Sequence, residues 1–295
     1  MTGIPFIHDF EFRYGIVEPV TDGIRRIVAR NPGPFTGPGT GTYIIGRGEV
    51  AVIDPGPMLP DHVDALLAGL AEETVSHILV THTHADHSPA ARLLRQRTGA
   101  PVFAFGPHAK DSAGELEGGV DREFVPDFLL DDGDEVPGDG WSLEVIHTPG
   151  HCSNHICFAW PDAGALFCGD HIMAWSTPVI IPPDGSVGDY IESLGRLSQR
   201  PERVFYPTHG TPITDPGDFI AKVREHRLHR VEQVAAAIAN GVDNLPSLRR
   251  RIYTDIPRNL EAGAELSLLA SILYLQERGH VLIVGSGRRQ RYVPT

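Results

Sequence analysis

Short apolar runs alternate with segments of helical periodicity along residues 23–206. The apolar runs predict strands at 23–30, 41–45, 49–53, 76–80, 102–105, 142–146, 165–167 and 203–206. Helical spacing predicts helices at 60–73, 88–98 and 189–198, and we expect Ser88 to cap the second of these, with Pro89 in its first turn. The alternation predicts an α/β fold.

The pattern changes after Phe219. Helices are predicted at 219–240, 245–253 and 260–278, followed by strands at 280–284 and 290–293 around a Gly-Ser-Gly turn. Three helices and a hairpin form the outline of a winged helix. We therefore predict a larger α/β domain over residues 1–217 and a small winged-helix-like helical domain over residues 218–295. The buried face of its third helix is expected to comprise Leu266, Leu269, Ile272, Leu273 and Leu275.

Charge differs between these two parts. Residues 219–295 hold 12 Lys and Arg against 7 Asp and Glu, whereas residues 1–218 hold 13 against 31. The basic clusters at 249–251 and 288–291 could contact phosphates, or they could pair with the acidic part of the chain. We favour pairing, because no aromatic side chains alternate with these arginines. Nucleic acid is accordingly a partner that the sequence allows but does not favour.

Composition indicates the compartment. No apolar run is long enough to predict a membrane span, and the start of the sequence lacks the pattern of a signal peptide. The three cysteines, at 152, 157 and 168, are an odd number without an export signal. They indicate reduced thiols and a cytoplasmic location.

The most informative motif is Thr-His-Thr-His-Ala-Asp-His at 81–87. It follows a predicted strand and precedes a predicted helix, so its side chains lie on a loop. In an extended loop His82 and His84 point the same way and can reach one metal ion, while Asp86 and His87 face a second position. Three further loops after predicted strands carry candidate ligands, namely His151, Asp170 and His209.

This ordered set, together with Asp54 in Ile-Asp-Pro-Gly at 53–56, resembles the metallo-β-lactamase-fold hydrolases over roughly residues 20–215. The resemblance implies an αββα sandwich of two mixed sheets covered by helices. It also implies that His82, His84 and His151 bind metal one, that Asp86, His87 and His209 bind metal two, and that Asp170 bridges them. Asp54 would orient the ligand loops. Nitrogen and oxygen ligands without a thiolate favour two zinc ions, with manganese or iron as alternatives.

Other residues are expected to lie behind the ligands or in the substrate pocket. They are His155, His171, Phe35, Met173, Trp175 and Tyr190. Substrate is expected to enter over the loops at 32–39 and 173–183, where Phe35, Met173, Trp175 and Ile180 form an apolar wall or, equally, part of the core or a dimer contact.

The expected activity is metal-dependent hydrolysis by a metal-bridging hydroxide, with Asp86 and Asp170 as the catalytic carboxylates. A small ester or thioester is favoured as substrate, as in the hydroxyacylglutathione hydrolase branch. The tail is similar to that of the lactamase-beta-like branch, which makes a single-strand-specific endoribonuclease an alternative. The acidic domain would repel such a polyanion.

Two further alternatives are a lactonase or lactamase side activity and a non-enzymatic winged-helix regulator. The tyrosine that lactone-opening members carry shortly after the bridging aspartate is missing from the run at 171–175. The complete ligand set argues against a regulator. We expect the tail to support the larger domain or to pair subunits in a homodimer.

Overall fold

Two mixed β-sheets pack face to face, with helices on their outer faces. The computed structural model describes residues 3–108 and 119–295. In this part of the chain the first sheet comprises, in spatial order, Glu18–Thr21 (β1), Ile24–Val28 (β2), Gly41–Arg47 (β3), Glu49–Ile53 (β4), Thr74–Leu79 (β5), Val102–Ala104 (β6) and Phe128–Leu129 (β7). The second comprises Glu135–Gly138 (β8), Trp141–His147 (β9), Ile156–Trp160 (β10), Ala165–Gly169 (β11) and Val204–Pro207 (β12).

Strand direction changes once within each sheet. Strands β1 to β4 pair antiparallel, and β4 to β7 pair parallel. Strands β8 to β11 pair antiparallel, and β11 pairs parallel with β12. Strands β10 and β11 are buried along their whole length, which is expected of strands covered on both faces. The apolar runs of the sequence predicted β2 to β6, β9, β11 and β12, whereas β1, β7, β8 and β10 were missed.

Helices Pro60–Gly69 (α1) and Pro89–Thr98 (α2) cover the first sheet. Val63 and Leu66 of α1 and Leu94 of α2 share an apolar cluster with Ile44 and Val52 of the sheet. A second cluster fills the space between the sheets, and a third covers the far face of the second sheet. The layers are therefore helix, sheet, sheet, helix, which confirms the predicted sandwich.

The third cluster joins the second sheet to the C-terminal part of the chain. It includes side chains of Val187–Leu197 (α3), Pro216–Ala239 (α4), Leu245–Ile252 (α5) and Glu261–Glu277 (α6). Strands Val281–Val284 (β13) and Arg291–Pro294 (β14) form the antiparallel hairpin that the sequence indicates. The boundary at 217/218 and the winged-helix assignment stay predictions. Among the described residues no helix is long and apolar enough to cross a membrane.

The predicted buried face of α6 was wrong in part. Of the predicted residues Ile272 and Leu275 are buried, whereas Leu266, Leu269 and Leu273 are only partly buried, and Leu268, which was not predicted, is fully buried. Because α6 is apolar on most of its sides, the sequence pattern does not single out one face.

Two helix ends also differ from expectation. α1 ends at Gly69 rather than at Glu73. Glu73 lies beyond the helix, where its carboxylate pairs with Arg25 and accepts a hydrogen bond from the Gly48 N–H at 2.9 Å. Ser88 precedes α2, but its side chain makes no capping hydrogen bond and donates instead to Asp121 at 3.1 Å.

Candidate metal centre

The candidate site lies where five strands end at one edge of the two sheets. β4 ends at Ile53, β5 at Leu79, β9 at His147, β11 at Gly169 and β12 at Pro207. The loop after each strand carries one or more of the predicted site residues. Parallel strands bring their carboxyl ends to the same edge, and β4 with β5 and β11 with β12 are parallel pairs.

Close backbone contacts bring these loops together. The Ile156 N–H donates to Thr81 O at 2.9 Å, and the Gly41 N–H donates to Thr208 O at 2.9 Å. At Gly169, where φ is +51°, a Cβ atom would lie 2.5 Å from Nε2 of His155. Only glycine fits this approach in this backbone conformation.

Three histidine rings converge on one side of the site. His84 Nδ1 lies 3.0 Å from His82 Nε2 and 3.0 Å from His151 Nε2. Burial lowers the pKa of His82 and His84 well below the usual histidine value, and it lowers the pKa of His151 as well. Nδ1 of His151 lies 2.8 Å from Val179 O, so a neutral ring donates there and keeps its lone pair on Nε2. Converging lone pairs of this kind fit a cation.

Two histidines and two carboxylates converge on the other side. His209 Nε2 lies 3.2 Å from Asp86 Oδ2 and 3.3 Å from Asp170 Oδ2, and His87 Nε2 lies 3.4 Å from each of the same oxygens. Burial alone would lower the pKa of His87, but the nearby carboxylates raise it well above its usual value. Against burial, Asp170 and Asp86 likewise raise the pKa of His209 to about 10. This half of the site therefore favours positive charge.

Asp170 lies between the two halves. Potential ligand atoms lie within 4.8 Å of one another in three groups, which are His82–His84–His151, His82–His87–Asp170 and Asp86–His87–His209. Asp170 Oδ1 and His87 Nε2 are buried and have no hydrogen-bond partner. Because buried polar atoms are normally satisfied, two such atoms at the point of convergence fit a bound metal ion. All seven predicted ligands thus meet in one place.

Asp54 lies behind His87 and belongs to none of these groups. It is 1% exposed, and its φ of +49° is in the left-handed region. Its carboxylate accepts from Thr81 N at 2.8 Å, Thr81 Oγ1 at 2.7 Å, His87 Nδ1 at 2.9 Å and Thr208 Oγ1 at 3.1 Å. Asp54 therefore ties its own loop to two ligand loops, because Thr81 and His87 lie in the loop after β5 and Thr208 precedes the candidate ligand His209.

His155, His171 and Tyr190 also lie behind the candidate ligands rather than in an open pocket. Nε2 of His155 accepts from the Asp170 N–H at 3.2 Å, so His155 supports the loop of the central carboxylate. The rings of His171 and Tyr190 pack with centroids 4.6 Å apart, and the Tyr190 hydroxyl donates to His171 O at 2.9 Å. Burial lowers the pKa of His171 to about 3, so this ring is neutral.

Two residues that the sequence did not single out position Asp86. The Thr40 hydroxyl donates to Asp86 Oδ2 at 2.8 Å. Asn31 Oδ1 in turn accepts from Thr40 N at 2.9 Å, and its amide donates to Thr40 Oγ1 at 2.8 Å. Both residues flank the loop at 32–39, which was recognised only as irregular.

The predicted apolar wall is present in part. Phe35, Met173 and Trp175 line a cavity of about 310 Å³ between the loops and the C-terminal helices. Phe35 also borders a narrow opening onto Asp86, Asp170 and His209. Ile180 does not contribute to the wall, because it is fully buried in the third apolar cluster.

The far wall of this cavity was missed by the sequence. It includes His226, Arg227 and Arg230 of α4 and Tyr253 after α5. The sequence nevertheless contained a signal for Arg227. This arginine lies four residues after Val223 and four before Val231, which places it on the core-facing side of α4.

Two arginines of the basic clusters form ion pairs within the tail. Arg249 lies 3.2 Å from Glu261 and 3.0 Å from Glu265, and Arg291 lies 3.3 Å from Asp243. The side chain of Arg288 is outside the described part of the chain. These pairs lie within the tail and not with the acidic residues of 1–218, where pairing was expected, and the view that nucleic acid is not a favoured partner stays a prediction.

The fold and this site define a metal-dependent hydrolase. A model of the Metallo-beta-lactamase superfamily matches residues 35–209, and the chain belongs to this superfamily. It is 32% identical over 226 residues to atrochrysone carboxyl ACP thioesterase of Aspergillus chevalieri, covering 75% of this chain and 68% of that protein. It is 28% identical over 297 residues to the lactamase-like protein adaB of Aspergillus niger, covering 94% of this chain and 87% of that protein.

Solved structures share the fold over nearly the whole chain. A beta-lactamase domain protein from Burkholderia ambifaria is similar with a TM-score of 0.81 and 19% identity, covering 97% of this chain and 96% of that chain. A metallo-beta-lactamase family protein from Thermus thermophilus is similar with a TM-score of 0.75 and 24% identity, covering 94% of this chain and 100% of that chain. Both alignments extend over the C-terminal helices as well as the sandwich.

Proposed function

We propose that the protein is a zinc-dependent hydrolase with two metal ions, and that it cleaves thioesters of small or medium-sized acyl groups. The observation that supports this most directly is the position of Asp170 between a three-histidine group and a group with Asp86, His87 and His209. Asp170 is grouped with His82 of the first set and His87 of the second, and a carboxylate beside ligands of both sets suits a pair of ions.

The donor set favours zinc. His82, His84 and His151 would hold one ion, and Asp86, His87 and His209 the other, with Asp170 touching both. Imidazole and carboxylate suit zinc, and manganese or iron accept the same atoms. The buried cysteine nearest in sequence, Cys168, is absent from these groups, and its thiol donates to Ile172 O at 3.3 Å.

When bound, the ions would supply a hydroxide near neutral pH and a Lewis acid for the substrate carbonyl oxygen. The protein's own contribution is to hold and orient. Asp86 and Asp170 border the narrow opening that a reacting carbonyl must reach. The Thr40 hydroxyl fixes one oxygen of Asp86 at 2.8 Å, and His155 holds the Asp170 backbone at 3.2 Å. Both aspartates are thus held in position before substrate binds.

Two observations support a thioester as substrate. A relative at 32% identity is named an acyl-carrier-protein thioesterase. The cavity beside the metal site, about 310 Å³ with Phe35, Met173 and Trp175 in its wall, has the size and lining of a small-molecule pocket. RNA is disfavoured by the excess of 31 acidic over 13 basic residues in residues 1–218.

A substrate panel with metal analysis tests this function. Protein purified without chelator should contain about two zinc ions per chain, and chelation should abolish turnover until zinc is restored. The panel should include an acyl thioester, its oxygen ester, a lactone, a lactam and single-stranded RNA. We expect the highest kcat/KM with the thioester, whose turnover is measured by the release of free thiol.

Asp170→Asn and Cys168→Ser form a matched pair two positions apart. The first should lose metal and activity, and the second should keep both. Cleavage of single-stranded RNA without thioester turnover would replace this function with the endoribonuclease alternative, and full activity in metal-free protein would contradict metal dependence.

A further inference from the structure

The cavity beside the metal site is built jointly by the sandwich and the C-terminal helices. Phe35, Met173 and Trp175 form one side, and α4 and α6 form the other. Phe35 contributes both to this cavity and to the narrow opening onto Asp86 and Asp170. A substrate whose carbonyl lies at the opening can therefore extend past Phe35 into the cavity.

Unsatisfied polar atoms are concentrated here. Four buried nitrogens of lining residues have no hydrogen-bond partner, namely Trp175 Nε1, His226 Nδ1, Arg227 Nε and Arg230 Nε. The tryptophan and arginine nitrogens can only donate. Leaving a buried donor without an acceptor is unfavourable. Two of these donors belong to guanidinium groups of residues that line the cavity, so a negatively charged ligand there would offset the cost through the guanidinium charge.

The two arginines also lack counter-charges within the described residues. Arg227, only 5% exposed, donates to Pro178 O at 2.8 Å and packs over the Tyr190 ring. Arg230 donates to Gln233 Oε1 at 2.9 Å and packs over the Tyr253 ring. Neutral oxygens and aromatic faces hold these guanidiniums, and the described lining contains no Asp or Glu.

Positive charge in the cavity comes from these guanidiniums rather than from the histidine. Burial, with Arg227 and Arg230 beside it, lowers the pKa of His226 to about 4. Its ring is therefore neutral near pH 7 and is suited to a single directional hydrogen bond. Two uncompensated cations in a partly apolar cavity attract an oxyanion strongly.

We propose that this cavity is a substrate subsite that binds an oxyanion, a carboxylate or a phosphate, through Arg227 and Arg230. The proposal rests on the proposed thioesterase function. The oxyanion can come from the acyl group, as a second carboxylate, or from the thiol part, as the phosphate of phosphopantetheine.

Matched substrate pairs distinguish these sources. In the acyl arm, diacid half-thioesters of N-acetylcysteamine with four to eight carbons are compared with the same compounds ending in a carboxamide. In the thiol arm, hexanoyl-phosphopantetheine is compared with hexanoyl-pantetheine. In one arm, kcat/KM of the wild-type protein should favour the charged member by roughly 10- to 100-fold, mainly through KM.

The variants are Arg227→Met and Arg230→Met, with Arg224→Met as control. Arg224 lies on the same helix, is exposed and is not part of the cavity. Each cavity variant should reduce the charge preference to below roughly threefold, and the control should keep it. Circular dichroism melting checks the fold, and if Arg227→Met unfolds, Arg230→Met, which replaces a less buried side chain, decides.

Non-cleavable thioether analogues of the charged compounds of both arms, titrated by calorimetry into the metal-loaded protein, separate the two hypotheses. Thioester turnover with no charge preference in either arm, or a preference that both cavity variants keep, overturns the subsite and leaves the thioesterase function intact. Absence of turnover together with analogue binding that is lost in both variants refutes the thioesterase function and supports the subsite.

Discussion

Replacing Asp54 with asparagine would test how the ligand loops are held. The Asp54 carboxylate accepts four hydrogen bonds, and three of them, from Thr81 Oγ1, His87 Nδ1 and Thr208 Oγ1, reach the same oxygen at 2.7, 2.9 and 3.1 Å. Asparagine keeps the shape of the side chain and turns one acceptor into a donor. The substitution therefore changes hydrogen bonding without creating a cavity.

Either orientation of the new amide has a cost. If its NH2 group takes the place of the shared oxygen, the threonine hydroxyls can turn and accept, but His87 can accept only by moving its proton from Nδ1 to Nε2. Nε2 is the atom that faces the metal site. If the amide turns the other way, the NH2 group opposes the Thr81 N–H, and a buried donor without an acceptor costs about 1–3 kcal/mol.

We therefore expect Asp54→Asn to weaken binding of one metal ion by roughly 10- to 100-fold, as loss of a ligand's supporting group typically does. Equilibrium dialysis against buffered zinc, with elemental analysis, measures this. Asp127→Asn is the control. Asp127 also accepts from a strand backbone, at 2.9 Å from Val102 N, and from Arg95 at 2.6 Å, but it is remote from the ligands.

The control should lower the free energy of unfolding and leave zinc affinity unchanged. Wild-type zinc affinity in Asp54→Asn, at any level of stability, would refute the role of Asp54 in orienting His87. An equal loss of affinity in both variants would show that stability, rather than ligand orientation, controls binding.

Three further predictions concern the metal site, the pH dependence and the core. Asp170→Ala should remove metal and reduce kcat far more than His155→Ala, since the first deletes a shared ligand and the second only its support; equal effects at equal metal content would contradict this. Burial lowers the pKa of His62 to about 4, below its unfolded value, so the unfolded chain takes up this proton first and stability falls as the pH drops below about 6.5. The expected loss is about 2 kcal/mol between pH 7 and pH 5, and urea unfolding of His62→Gln should show a shallower pH dependence. Leu268→Ala, at a fully buried position, should cost about 2–5 kcal/mol, whereas Leu282→Ala, at a position 52% exposed, should cost under about 0.5 kcal/mol; similar unfolding midpoints would contradict the packing of α6.

The grouping of the candidate metal ligands was predictable because each lies in a short loop directly after a buried strand. His82, His84, Asp86 and His87 fall within six residues, so their grouping depends on local geometry alone. The more distant candidates His151, Asp170 and His209 follow strands β9, β11 and β12, and the strand order of the family brings the ends of these strands to the same edge.

The cavity could not be predicted in the same way. Its wall depends on which side of α4 faces the loop at 173–179, and that orientation is set by packing between elements far apart in sequence. Arg227 gave a local signal, as a charge at a core-facing position. Arg230 gave none, because a partly exposed arginine on a helix is ordinary.

The ion pairs of the C-terminal tail bear on the charge asymmetry of the chain. Arg249 and Arg291 are neutralised by carboxylates of the tail. Arg227 and Arg230 are not neutralised by any described carboxylate, and both face the cavity. Two positive charges thus line a cavity beside an acidic domain. Such a field favours a short substrate with one oxyanion over an extended polyanion, because only the short substrate avoids the negative surface around the cavity.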